Sequence, residues 1–365
     1  MTTLTTKKRT ILSSVESLVE SANSSSNINN ITETDSSSPP TNSNNTPFVD
    51  DIIFEIFHFL ESLFIIQICM KISKQWRRIS FQIPLSLSFK KNYFKQAHES
   101  IKLLANCECL KNLTSLDLNK NQIGNEGVKY IATSEYMNNL TSLHLEFNRI
   151  DDQGVKYIAT SEYMKNLTYL DLEGNGIDDG GVKYIANSAW LKYLTSLSLG
   201  FNPIDSEGVK YIANSECLKN LTSLDLKCNK IGNEGVKYIA NSEYLNNLTS
   251  LHLTYNQIDN EGVKCIATSE CIKNLTSLDL EENGIGNEGV KYIANSECLK
   301  NLTSLDLSGN KIGNEGARYI ANSECLKNLT FLSLRRNAID SEGVKYIANS
   351  EYLKNVIRHN RASRK

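Results

Sequence analysis

Proline is scarce in this chain of 365 residues, at five in all, and long apolar runs are missing. A membrane-spanning helix needs about 20 consecutive apolar residues. The short run Ile65–Ile68 falls far below that, and Lys71 and Lys74 follow it closely. An excess of charge of one sign is lacking too: 39 Lys and Arg stand against 41 Asp and Glu, a formal net charge of −2. That balance removes the bulk electrostatic case for nucleic acid, which calls for a basic face. Histidine is sparse (His58, His98, His144, His252 and His359), and no HExxH, CxxC or Gly-rich phosphate loop is present. Without such spacings, neither a metal centre nor a cofactor is expected, and no nucleophile and base are forced together. The N-terminus has basic residues but no continuous apolar segment or small-residue cleavage site. These absences point away from an enzyme and toward a cytoplasmic or nuclear protein.

What is present is repetition. From 113 to 355 one unit recurs at constant spacing, in nine copies that begin at Leu113, Leu140, Leu167, Leu194, Leu221, Leu248, Leu275, Leu302 and Leu329. Self-similarity at this period marks a stack of supersecondary units. In the fifth copy Leu224 and Leu226 alternate with Asp225, the period of a strand with one buried face. Asn229 recurs at its slot in all nine copies, Asn121 to Asn337, where a buried amide can satisfy backbone groups of its own turn and of the adjacent coil. At the start of the next segment, in a fixed slot of every copy, stands only Asn, Asp or Ser, as in Asn125, Asp152, Asn233 and Ser341; these are read as helix N-caps. Val236, Ile239 and Ala240 then fall at i, i+3 and i+4, one helical face.

Nine cysteines fit a disulfide framework poorly. Cys109, Cys217, Cys271, Cys298 and Cys325 occupy one repeat slot that elsewhere holds Tyr or Trp, so they read as packing thiols. The eight Asn-Leu-Thr sequons are explained by the repeat itself.

The motif LxxLxLxxNxI resembles the leucine-rich repeat, and its continuation into GVKYIA resembles the ribonuclease-inhibitor-like class. That resemblance implies an α/β, right-handed solenoid, a horseshoe with parallel strands on the concave side and helices on the convex side. A diverged capping repeat is expected over 83–112, where Ile101, Leu104 and Ala105 match the helix slots after a short insertion. A short basic tail occupies 356–365, in which Val356–His359 begins like a further strand and no capping unit is visible.

Residues 1–46 are an Asn/Ser/Thr-rich leader expected to be disordered. Residues 47–82 change abruptly to amphipathic segments. Asp50, Asp51, Ile52, Glu55, Ile56, Phe57 and Leu60, followed by Ile72, Lys74, Trp76 and Arg77, resemble an F-box. Phe48-Val49 stands where that family usually has Leu-Pro, and the middle segment is slightly long. The resemblance implies a helical module that docks the Skp-type adaptor of a cullin-RING ubiquitin ligase through Phe48, Ile52, Ile56, Leu60 and Trp76. The function implied is that of a substrate-recognition subunit. The alternative is an interaction scaffold with no ligase link.

The outward slots around each strand vary where the framework does not. His144, Phe147, Glu173, Phe201, His252, Tyr255, Asp279, Glu281, Glu282, Arg335 and Arg336 form the candidate partner-binding surface. Phe147, Phe201 and Tyr255 recur every second copy, roughly 10 Å apart if strands stack at ~4.8 Å. They are either exposed anchors or rings tucked into the turn. Asp279, Glu281, Glu282 and Asp306 form an acidic stretch, ended by Arg335 and Arg336. A lysine after most helix valines makes a stripe on the helix side, read as a contribution to solubility.

Overall fold

The computed structural model describes residues 85–94 and 98–356, all within one compact unit, Ile53–Lys365. The expected leader over 1–46 and the adaptor-docking residues Phe48, Ile52, Ile56, Leu60 and Trp76 lie outside the described residues.

Each copy of the repeat forms one coil of strand, turn, helix and return turn. The strands are β1 (Leu85–Ser88), β2 (Leu113–Asp117), β3 (Ser142–His144), β4 (Tyr169–Asp171), β5 (Ser196–Ser198), β6 (Ser223–Asp225), β7 (Ser250–His252), β8 (Ser277–Asp279), β9 (Ser304–Asp306) and β10 (Phe331–Ser333). The helices are α1 (His98–Ala105), α2 (Gly124–Ala132), α3 (Asp152–Thr160), α4 (Asp179–Ala186), α5 (Ser206–Ala213), α6 (Gly232–Ala240), α7 (Asn260–Ala267), α8 (Asn287–Ala294), α9 (Asn314–Ala321) and α10 (Ser341–Ala348). The coil starting at Leu85 is the cap coil; those starting at Leu113 to Leu329 are coils 1 to 9.

All ten strands join one parallel sheet in chain order. Register is constant, Ser223 opposite Ser250, Leu224 opposite Leu251 and Asp225 opposite His252, and the same slots pair at every junction of coils 1 to 9. Between β1 and β2 the register slips at Leu85/Ser86. Strands stack ~4.8 Å apart whereas packed helices need about 8–10 Å, so a stack of this kind curves with its sheet inside.

The core is the same set of side chains repeated. In coil 5 Leu221, Leu224, Leu226, Ile231, Val236, Ile239, Ala240 and Leu245 are all buried, against their equivalents in the coils on either side. Three polar rows lock the coils together. Asn229 donates to the carbonyls of Leu226 at 2.9 Å and Lys227 at 3.2 Å in its own turn, and of Leu199 at 3.1 Å in the coil before, while its Oδ1 accepts from Ile204 N at 3.2 Å. This is the bridging role expected of the Asn slot. A second row went unread in the sequence: Ser242 Oγ donates to Ala213 O at 2.5 Å, and Ser134 to Ser350 repeat that bond. The third consists of the sequon residues themselves, Asn247 donating to Lys219 O at 2.9 Å and Thr249 to Thr222 O at 3.1 Å.

The helix starts differ from expectation by a single position. In α3, α4, α5, α7 and α10 the N-cap is Asp151, Asp178, Asp205, Asp259 and Asp340, whose side chain accepts from the amide two residues on. The Asn/Asp/Ser slot read as the cap is instead the first helical residue there. Where that residue is Asp or Asn its Oδ1 serves the next coil, as where Asp179 accepts from Asp205 N at 3.0 Å. Asn233, second in α6, likewise accepts from Asp259 N at 3.0 Å and donates back to Asp259 Oδ1 at 2.7 Å. In α2 and α6 the helix opens at Gly124 and Gly232, both at positive φ in the left-handed region. Glycine alone adopts that conformation without strain.

The lysine stripe is also structural. Lys129, Lys156, Lys183 and Lys210 each lie 5.5–5.8 Å from the ring of a tyrosine in the following coil, Tyr157, Tyr184, Tyr211 and Tyr238. At the far end residues 354–356 are helical, so Val356 does not open a further strand.

Candidate functional site

The strand-to-helix turn of every coil places its first outward residue in the left-handed region. Lys120, Phe147, Phe201, Cys228, Tyr255, Glu282 and Arg336 all have positive φ, as do Gly174 and Gly309. The backbone there donates across coils, Phe147 N to Glu173 O at 2.8 Å and Phe201 N to Lys227 O at 2.8 Å. With its backbone fixed this way, the side chain of this slot leans over the next coil.

That geometry decides how the aromatics sit. Phe147 is 42% exposed, Phe201 47% and Tyr255 62%, so the rings are surface groups and not core. Phe147 lies over Gly174, where an added Cβ would fall 2.4 Å from the ring. Its centroid is 6.3 Å from that of Phe201, well inside the spacing expected for alternate coils. Tyr255 stands apart from this pair. Lys120 Nζ is 5.5 Å from the Phe147 ring and Lys227 Nζ is 5.8 Å from the Phe201 ring.

Beside the aromatic pair the sheet face is polar and partly buried. Lys227 bonds Glu173 at 2.7 Å and Asp225 at 3.4 Å. Burial pulls the Lys227 ammonium down, but those two carboxylates outweigh it and the net direction is up. Burial raises Glu173, partly offset by Lys227. Asp171 is raised as well, by burial first, with Glu173 N and the Ser198 hydroxyl opposing. His144 takes a 2.8 Å bond with Ser142 Oγ and lies 4.6 Å from the Tyr169 ring; His252 bonds Ser250 Oγ at 3.0 Å. The two histidines sit in β3 and β7, so they form no joint site.

The acidic stretch is not an open acidic patch. Arg336 folds back onto both Glu281 and Glu282, with its Nη1 2.8 Å from Glu282 Oε1. Asp279 and Asp306 each bond the amide two residues on, those of Glu281 at 2.9 Å and Ser308 at 2.8 Å. Arg335 stays exposed. Asp171, Lys120 and Lys227, in outward slots but not singled out as site residues, and Tyr169, which was missed, belong to the face around the aromatic pair. The signal was available: Tyr169 breaks a slot that is Ser in seven of the nine copies.

Cys217, Cys228, Cys265, Cys271, Cys298 and Cys325 are free and half-buried, as packing thiols should be. Burial pushes Cys298 and Cys325 up, away from the reactive thiolate. Cys107, which lies outside the slot read as packing thiols, is disulfide-bonded. Among the described residues no group of His, Cys, Asp and Glu could hold a metal ion, and no helix is long and apolar enough to cross a membrane.

The family described as Leucine Rich repeat matches nine segments, 109–132, 136–159, 163–186, 191–213, 217–240, 244–267, 272–294, 298–321 and 325–348. Each segment runs from the turn before a strand to the end of the following helix. Among solved structures the chain is similar to an internalin (inlF) of Listeria monocytogenes str. 4b F2365, at 23% identity and a TM-score of 0.41, over 75% of this chain and 87% of that one. Among curated proteins nothing matches.

Proposed function

Because the chain belongs to the leucine-rich-repeat family, we propose that it is a protein-binding scaffold that captures a partner on its strand-side surface and catalyses no reaction. The observation that carries this reading is the exposed pair Phe147 and Phe201, held in ring contact over Gly174. Solvent-exposed rings fixed by a rigid backbone lose little entropy on binding and make strong anchors. Around them Lys120, Glu173 and Lys227 form the polar rim such an anchor needs. The test compares cross-linked captures by the wild type and by Phe147→Ala/Phe201→Ala. Partners retained by the first should be lost from the second, since truncating such an anchor costs about 2 kcal/mol or more. An unchanged set of captured partners removes the reading.

We further propose that residues 47–82 couple this surface to a Skp-type adaptor, making the chain a substrate-recognition subunit of a cullin-RING ubiquitin ligase. The support is the run from Asp50 to Leu60 with the closing Ile72, Lys74, Trp76 and Arg77, directly ahead of the repeats. Purified adaptor should bind the full chain and lose that binding in Ile56→Asp. Absence of binding to the wild type leaves the scaffold reading alone.

A further inference from the structure

Beside the aromatic pair, the turns of the cap coil and coils 1 to 3 line an open, shallow hollow of about 650 Å³. Lys91, Lys120, Phe147 and Arg149 line it, together with Gly174 and Gly176. Coil 3 is the one repeat with glycine at both outward positions of this turn; coil 4 has Phe201 and Pro203 there, and coil 5 has Cys228 and Lys230. The Phe147 ring takes the place of a side chain at Gly174, and the space beside it stays open because Gly176 contributes none.

Three cations face this space and one of them is paired. Lys120 bonds Glu146 at 3.1 Å. Lys91 and Arg149 are exposed, and among the described residues neither has a carboxylate within ion-pair distance. Arg149 has positive φ, a left-handed conformation that glycine adopts far more cheaply. Like charges gathered on one hollow repel one another until an anion arrives.

Resting on the protein-binding reading above, we propose that this hollow binds an acidic peptide segment of the partner, a short run of Asp or Glu carrying one apolar side chain. The carboxylates meet Lys91, Lys120 and Arg149, and the apolar group packs on Phe147. A bare phosphate would leave the aromatic wall and most of the volume empty. A nucleic acid continuing along the adjoining sheet face would meet Asp117, Glu146, Asp171 and Glu173, which repel a polyanion.

The test is fluorescence anisotropy of the full chain with labelled peptides EEFEE and QQFQQ. Saturable binding of the acidic peptide is expected, at least about tenfold tighter than the neutral one and weakening with salt. Arg149→Gly, which suits the left-handed turn, should keep the melting temperature and lose at least about tenfold in affinity. Lys300→Ala, removing an exposed cation in the return turn of coil 7, should leave affinity unchanged. Equal binding of both peptides, undiminished binding by Arg149→Gly, or tighter binding of poly(U) RNA than of EEFEE overturns the proposal. If EEFEE fails to bind while partner capture still depends on Phe147 and Phe201, the hollow falls and the scaffold stands. If EEFEE binds through Arg149 while capture ignores both rings, the anchor falls and the hollow stands.

Discussion

The most consequential single residue in each coil is the asparagine of the strand-to-helix turn. Asn229 is buried and satisfies carbonyls of two coils and an amide of one. Removing it strands those groups away from water, so Asn229→Ala should lower stability by about 3 kcal/mol in urea unfolding. This role was legible because an invariant amide inside an apolar pattern has both a donor and an acceptor to place. The equally invariant serine, Ser134 to Ser350, instead opens a turn, where a hydroxyl reads as a local cap and its bond to the preceding coil leaves no mark. A subtler residue-scale effect lies between coils 2 and 3. Where Asn233 donates to Asp259, the equivalent Asp152 sets a second carboxylate against Asp178. Asp152 is held above its ordinary 3.8, by partial burial first and by Asp178 next. A carboxyl with a raised folded pKa takes up its proton more readily folded than unfolded. Its folded state therefore gains stability as pH falls through that range and loses it as pH rises. Asp152→Asn should raise stability at pH 7 by about 0.5 kcal/mol, a surface-sized effect, and the gain should vanish as the pH approaches about 4 in parallel thermal melts.

At the scale of elements, the helix starts separate what pattern reading could and could not resolve. The sequence Ile-Asp-Asp or Ile-Asp-Asn offers two capping candidates in a row, and composition cannot choose between them. Geometry does, because only the first has the extended backbone that a cap requires. In α8 and α9 that place is taken by Gly286 and Gly313, which provide no side-chain cap. Gly286 has an extended backbone and room for a Cβ, with Asn260 Oδ1 at 3.6 Å as its nearest neighbour. Gly286→Asp should therefore install the bond seen at Asp259 and raise the unfolding midpoint by an amount worth about 1 kcal/mol. No change in the midpoint would mean that the cap contributes little within a stacked coil. The exposure of the aromatics was a similar ambiguity. Either placement of Phe147 fits the sequence, and the left-handed turn, which decides it, leaves no mark on hydrophobic periodicity.

Across the whole array, the repeated core was legible almost entirely from its constant period, while the side chains that interrupt the period had to be placed by geometry. Stability should follow position along the stack, since each coil is buried by its two neighbours. Val236 in coil 5 is buried, whereas its equivalent Val344 in coil 9 is 58% exposed. Val236→Glu should prevent folding of the central coils, and Val344→Glu should change the circular dichroism melt little. Amide exchange should likewise be fastest in β10 and α10 and slowest near β6. The constant register has one more implication. Because Leu221 and Leu248 occupy the same environment and pair identically with their neighbours, residues 221–247 could be excised and the flanking chain rejoined without disturbing a single ladder bond elsewhere. The molecule is thus adjustable in whole turns, like a ruler cut at its own graduations. Such an excision would bring Arg336 one strand spacing closer to Phe147 while leaving the chemistry of both places intact.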